Sequence, residues 1–100
     1  MFPEKPAVRE AIAQIEDRLR AKGVTALYLF GSLARGEAAP GSDVDVLVEI
    51  DPQRAFTLVD QAGIQDDLAG AVGHPVDVVL KTSLRKEIRR TVLKEAERIF

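Results

Sequence analysis

The chain has 100 residues, 46% of them hydrophobic and 30% charged, and no cysteine, which excludes disulfides, thiolate metal sites and a cysteine nucleophile. A formal charge of −2 and a pI near 5.4 argue against broad nucleic-acid binding driven by charge, which needs a basic face. The length fits one domain over residues 1–100; no apolar run approaches the roughly 20 residues of a membrane span, and Met1-Phe2-Pro3-Glu4-Lys5-Pro6 lacks the form of a signal peptide.

Over residues 7–22, Val8, Ala11, Ile12, Ile15 and Leu19 recur at three and four with charged residues between them, which predicts an amphipathic helix with Pro6 in its first turn and Gly23 past its end. Val24 to Phe30 is a nearly continuous apolar run, expected to be a central strand. A short helical turn over 32–37 and a loop through Pro40 and Gly41 lead to a second strand over 43–50, stopped by Asp51-Pro52. The pattern predicts a second helix over 54–71, although Gly63 and Gly70 weaken it. Gly73-His74-Pro75 is a turn, residues 76–80 a third strand, and 83–100 a last helix with Ser83 as N-cap and an apolar stripe through Leu84, Ile88, Val92, Leu93, Ala96 and Ile99. Helix, strand, turn, strand, helix, strand, helix makes an α/β domain whose small sheet of three main strands carries helices mostly on one face.

The chemistry concentrates between residues 31 and 48. In a strand, residues two apart share a face, so Asp43 and Asp45 project together while Val44, Val46 and Val48 face the other way. Two neighbouring carboxylates repel unless neutralised, and a hard divalent cation such as Mg2+ commonly joins one or two carboxylates to substrate phosphates. The Gly31-Ser32 turn after the first strand suits the phosphates: glycine lets backbone approach an anion, and N–H groups opening a helix lack intrahelical partners. A nucleoside triphosphate with its metal fits this pair of features. Taken alone, Asp43 and Asp45 would also fit a solvated strand entry, and Gly31-Ser32 a plain connection. Arg35 is either a surface cation or a bidentate phosphate ligand. Ser42 caps or holds the loop, because no histidine is positioned to make it a nucleophile. Asp77 is a lone charge in an otherwise buried-looking strand, which is costly unless partnered or facing water. His74, Asp51, Asp66 and Asp67 read as solvated turn and helix residues, and the basic residues of the last helix as a solvated face with room for an acidic partner or nucleotide.

The run Gly31-Ser32, Arg35-Gly36-Glu37-Ala38 and Ser42-Asp43-Val44-Asp45 resembles the signature of the DNA polymerase beta-type nucleotidyltransferase superfamily, and within it the minimal nucleotidyltransferases encoded beside HEPN proteins. That resemblance implies the polymerase beta-like nucleotidyltransferase fold with a mixed sheet. It implies that Asp43, Asp45 and Asp77 bind two Mg2+ ions and are catalytic, that Gly31, Ser32, Arg35 and Ser42 bind the nucleotide, and that AMP passes from ATP to a hydroxyl. With two ions roughly 3.5 to 4 Å apart clamping the reacting phosphate, few further side chains are needed. It also implies an acceptor tyrosine on a HEPN-type toxin, with this chain as the antitoxin in a hetero-oligomer. About 20 residues follow the third strand, too few for an acceptor-gripping domain, so the expectation is either a macromolecular acceptor that brings its own recognition surface or a site completed by a second subunit; the resemblance points to the first. Dependence on ATP implies the cytoplasm. The competing expectation is a non-catalytic binding module that masks a partner stoichiometrically through apolar helix faces.

Overall fold

The structure, a computed structural model, describes residues 4–37 and 43–100. Helix α1 spans Lys5–Gln14 and α2 spans Glu16–Ala21; strand β1 is Val24–Phe30, followed by the single-turn helix α3, Gly31–Ala34. Strand β2 is Val44–Ile50, α4 is Leu58–Val72 and β3 is Val76–Leu80. A 3-10 turn, Lys81–Ser83, leads to α5, Lys86–Glu95, and to the two-residue strand β4, Glu97–Arg98.

The sheet order is β3-β2-β1-β4. Strand β1 runs antiparallel to β2 and β4, and β2 runs parallel to β3, so that α4 is the crossover between the two parallel strands. Val44, Val46 and Val48 of β2, Leu27 and Leu29 of β1 and Val76 and Val78 of β3 meet Val8 and Ile12 of α1, Leu19 of α2 and Ile64 and Leu68 of α4 in one core on one face of the sheet. Ile12, Leu19, Leu27, Leu29, Ile64 and Leu68 are wholly buried. Each contributes about 1.5–3 kcal/mol through removal from water. The other face carries Phe30 and Tyr28 of β1, Asp45, Leu47 and Glu49 of β2, and Asp77 and Val79 of β3, by the period-2 alternation of the strands.

The sheet is mixed, as the family resemblance implies, and its helices α1, α2 and α4 cover one face, as the apolar patterning predicts. Four local features depart from expectation. The first helix is divided at Ile15, whose N–H reaches Ile12 O at 3.1 Å in a tighter turn before α2 resumes. Helix α4 starts at Leu58 rather than at 54, because Thr57 and Asp60 form a reciprocal capping box, and it ends at Gly73 with a left-handed φ of 77°. The connecting helical turn begins one residue early, at Gly31. The expected helix over 83–100 is shorter at both ends, and its tail is the fourth strand. Leu27 N–H donates to Phe100 O (3.0 Å) and Ile99 N–H to Leu27 O (2.8 Å), so the last residues cover the backbone groups that β1 would otherwise expose at the sheet edge.

Long-range polar contacts hold these pieces together. Lys5 bonds Ala34 O at 3.0 Å and pairs with Glu97 at 3.3 Å, tying α1 to the end of α3 and to β4. Lys22 is ion-paired with Asp67, whose side chain is only 16% exposed, so Asp67 is a half-buried clamp between α2 and α4 rather than the solvated residue that its sequence context suggests.

Candidate active site

Strand β1 carries the chain to Gly31, and its last residue, Phe30, pairs across the ladder with Asp45. Gly31 has φ +74°, a conformation that residues with a side chain rarely adopt. A Cβ built on it would collide with Asp45 Oδ2 and stand 3.1 Å from Asp45 Cγ. The absence of a side chain at Gly31 therefore lets the Asp45 carboxylate lie directly against the turn.

On the other side of β2, Asp45 is in register with Asp77 of β3. In-register neighbours on parallel strands point to the same face, so the two carboxylates sit side by side. Asp43 precedes β2 by one residue and is exposed, as is Asp77. Asp45 is half-buried, and its carboxyl is held above the usual aspartate range, chiefly by desolvation, then by the charges of Asp77 and Asp43, with Arg35 acting in opposition. Asp45 thus occupies the middle of an acidic edge beside a glycine turn.

Among the described residues no three carboxylates or imidazoles are drawn together into a ready-made metal cage. The expected three-carboxylate cradle is instead an open edge. Its chemistry fits a hard cation: the donors are all oxygen, and the central one is desolvated between two like charges. Mg2+ is commonly held by one or two carboxylates and completed by water and substrate phosphates, so an open edge is compatible with it.

Gly31 to Ala34 form a single helical turn whose first N–H groups have no intrahelical acceptor. Ser32 is half-buried at its start, and its carbonyl accepts from Glu37 N–H at 2.8 Å. Arg35 lies close enough to Asp45 to lower its pKa, yet its guanidinium is engaged by Glu37 (3.0 Å) and Glu95 (3.4 Å), which raise the pKa of Arg35 itself. A phosphate would have to displace those carboxylates. Ser42, expected to hold the loop and contact nucleotide, lies outside the described residues.

A second polar group on the same sheet face escaped the sequence reading. Glu49 accepts from Tyr28 Oη at 2.8 Å and pairs with Lys81 at 2.9 Å, while Arg98 stands 5.9 Å over the Tyr28 ring. The two bonds hold the Glu49 carboxyl below its ordinary range, and the bond to Glu49 pushes the Tyr28 hydroxyl up. A signal existed: Asp43, Asp45, Leu47 and Glu49 continue one period-2 row. Glu95, sixty residues from Arg35, offered none.

An antiparallel β1–β2 pair joined through a Gly-Ser helical turn, a parallel β3 and an acidic edge at the head of β2 together define a nucleotidyltransferase architecture. Residues 12–99 match the family described as the nucleotidyltransferase domain, and the chain belongs to it. The protein adenylyltransferase MntA of Thermococcus cleftensis is 40% identical over 73 residues, covering 73% of this chain and 72% of that protein. A solved structure assigned as a minimal nucleotidyltransferase superposes with a TM-score of 0.81 at 33% identity and covers 93% of both chains. The complex of a tri-AMPylated HEPN toxin with its MNT antitoxin from Shewanella oneidensis contains a chain of the same fold, with a TM-score of 0.66 at 20% identity, covering 93% of this chain and 71% of that one. Among the described residues no helix is long and apolar enough to cross a membrane.

Proposed function

We propose that this chain transfers AMP from ATP to a hydroxyl of a partner protein, a tyrosine of a HEPN-type toxin, and thereby acts as its antitoxin. The observation that carries the reading is Asp45, desolvated between Asp43 and Asp77 and laid against Gly31. Support for the acceptor comes from the activity named for the Thermococcus relative and from the AMP-modified toxin of the Shewanella complex. A reaction fed by ATP belongs in the cytoplasm.

Mg2+ held by Asp43, Asp45 and Asp77 would neutralise phosphate charge and polarise the α-phosphorus. The backbone at Gly31 and the Ser32 hydroxyl would receive the triphosphate, because no side chain at Gly31 blocks the approach. Arg35 would exchange Glu37 or Glu95 for a phosphate oxygen. The acceptor oxygen bonds to the α-phosphorus as the bond to the pyrophosphate oxygen breaks, and the hydroxyl proton passes to a carboxylate, for which Asp77, exposed at the edge, is the candidate. Positioning and charge neutralisation supply most of the rate, which suits a site with few other side chains.

The test is to mix the protein with ATP, Mg2+ and a candidate HEPN-type partner and to weigh the partner by mass spectrometry. Added AMP, lost in Asp43→Ala and Asp45→Ala, is the expected result. Neutralisation of the partner without added mass, and unchanged by those substitutions, would establish stoichiometric masking instead.

A further inference from the structure

Helix α5 does not earn its place through the core. None of its side chains is fully buried, and Ile88 is 49% exposed, although the helix is amphipathic. From Arg85 to Lys94 the chain carries five basic residues and one acidic residue, Glu87, a net +4 in a chain whose total is −2, so the remaining residues sum to −6. Among the described residues none of Arg85, Lys86, Arg89, Arg90 and Lys94 is ion-paired. Arg89 donates from Nη2 to Leu84 O at 3.3 Å, but its Nε is shielded from water without an acceptor. Lys86, Arg89, Arg90, Leu93 and Lys94, with Glu87 as the single acidic member, line a shallow hollow on the helix. The helix is also joined to the candidate site, since Glu95 at its end holds Arg35, which in turn acts on Asp45.

We propose that the outer face of α5 is the docking surface for an acidic segment of the acceptor protein, with Lys86, Arg90 and Lys94 meeting its carboxylates and Leu93 supplying apolar contact. The word acceptor rests on the AMP-transfer reading above. Charge complementarity selects the occupant: the rest of the chain repels an acidic surface, and α5 attracts it, which orients the partner toward the helix that adjoins the acidic edge. Nucleic acid is the poorer fit, because the cationic surface is one helix long and offers no aromatic side chain for stacking.

The probe is a random Glu–Tyr copolymer, which presents tyrosine hydroxyls in an acidic context, with a Lys–Tyr copolymer as control. Binding is read by fluorescence anisotropy at about 50 mM salt, where surface charges are weakly screened. The Glu–Tyr polymer should bind and the Lys–Tyr polymer should not. The triple variant Lys86→Glu/Arg90→Glu/Lys94→Glu should weaken binding by about tenfold or more, the milder triple alanine variant by less, and Arg18→Glu, far from α5, by less than about twofold. Unchanged ATP affinity in the variants shows that they fold. Binding within twofold of wild type in both triple variants, equal binding of the two polymers, or tighter binding of a single-stranded RNA oligonucleotide would overturn the proposal. Failure of the transfer reading looks different: the polymer is held through α5 yet takes up no AMP from ATP and Mg2+. AMP uptake that is equal in wild type and triple variants would instead leave the transfer reading standing and remove the surface.

Discussion

Gly31 and Asp45 compete for one volume: the space that a side chain on Gly31 would fill is taken by the Asp45 carboxylate. A backbone turn and a charged group that are fourteen residues apart are thereby locked together, so Gly31→Val, a substitution that would block phosphate approach, tests two things at once. Positive φ and the collision both strain it.

The smaller change Gly31→Ala should therefore lower both stability and activity. The left-handed conformation costs an alanine roughly 1–2 kcal/mol, which at this size lowers Tm by about 5–15 °C. Moving the Asp45 carboxylate should reduce AMP transfer by about a hundredfold. Calorimetry and a transfer assay below the new Tm check the two separately. A transfer rate within twofold of wild type would detach Gly31 from the site.

Asp45→Asn should do the opposite to stability. The carboxylate is desolvated and faces two like charges, so its charged form opposes folding when no cation is present. Removing the charge should raise the Tm of the Mg2+-free protein by a few degrees, from a gain of about 0.5–1 kcal/mol after allowance for solvent screening. Transfer should fall to background. A lower Tm in Asp45→Asn would mean that the acidic edge is not under repulsion.

The Glu49 carboxyl, lowered by its bonds from Lys81 and Tyr28, makes a prediction in pH. A carboxyl with a folded pKa below its unfolded value, about 4.3, contributes stability above that value and loses it as pH falls through the folded one. Glu49→Gln should be less stable than wild type at pH 7, and the difference should close below about pH 4. Chemical denaturation at pH 7, 5 and 3 measures it. A constant difference across the three would assign the effect to packing.

Thr57→Ala removes the side chain that accepts from Asp60 N–H and leaves the Asp60 carboxylate bonded to the Thr57 backbone alone. Loss of such a cap costs about 1 kcal/mol, or a Tm lower by about 4–8 °C. The cap lies at the end of the β2–α4 connection remote from Asp45, so transfer measured below Tm should stay within twofold of wild type. A large loss of activity would tie that end of the sheet to the site.

Local periodicity and turn chemistry were legible in the chain. The apolar spacing of Val8, Ile12 and Leu19, the apolar run of β1 and the alternation of Asp43 to Val48 each act over a few residues, and the structure has the helices and strands that they predict. Boundaries were less legible. Whether residues 97–100 continue a helix or pair as strand depends on Leu27, seventy residues away, whose N–H and C=O need partners at a sheet edge. The division at Ile15 has no propensity signal that we can identify.

The same distinction runs through the site. The pairing of Asp43 with Asp45 and the glycine before them stand in the primary sequence, because period-2 geometry and backbone freedom are properties of neighbouring residues. That Asp77 stands in register beside Asp45, that Arg35 is held by Glu95, and that Asp45 rather than Asp43 loses its water were decided by the folded sheet, because strand register and desolvation depend on which distant segments the core brings together.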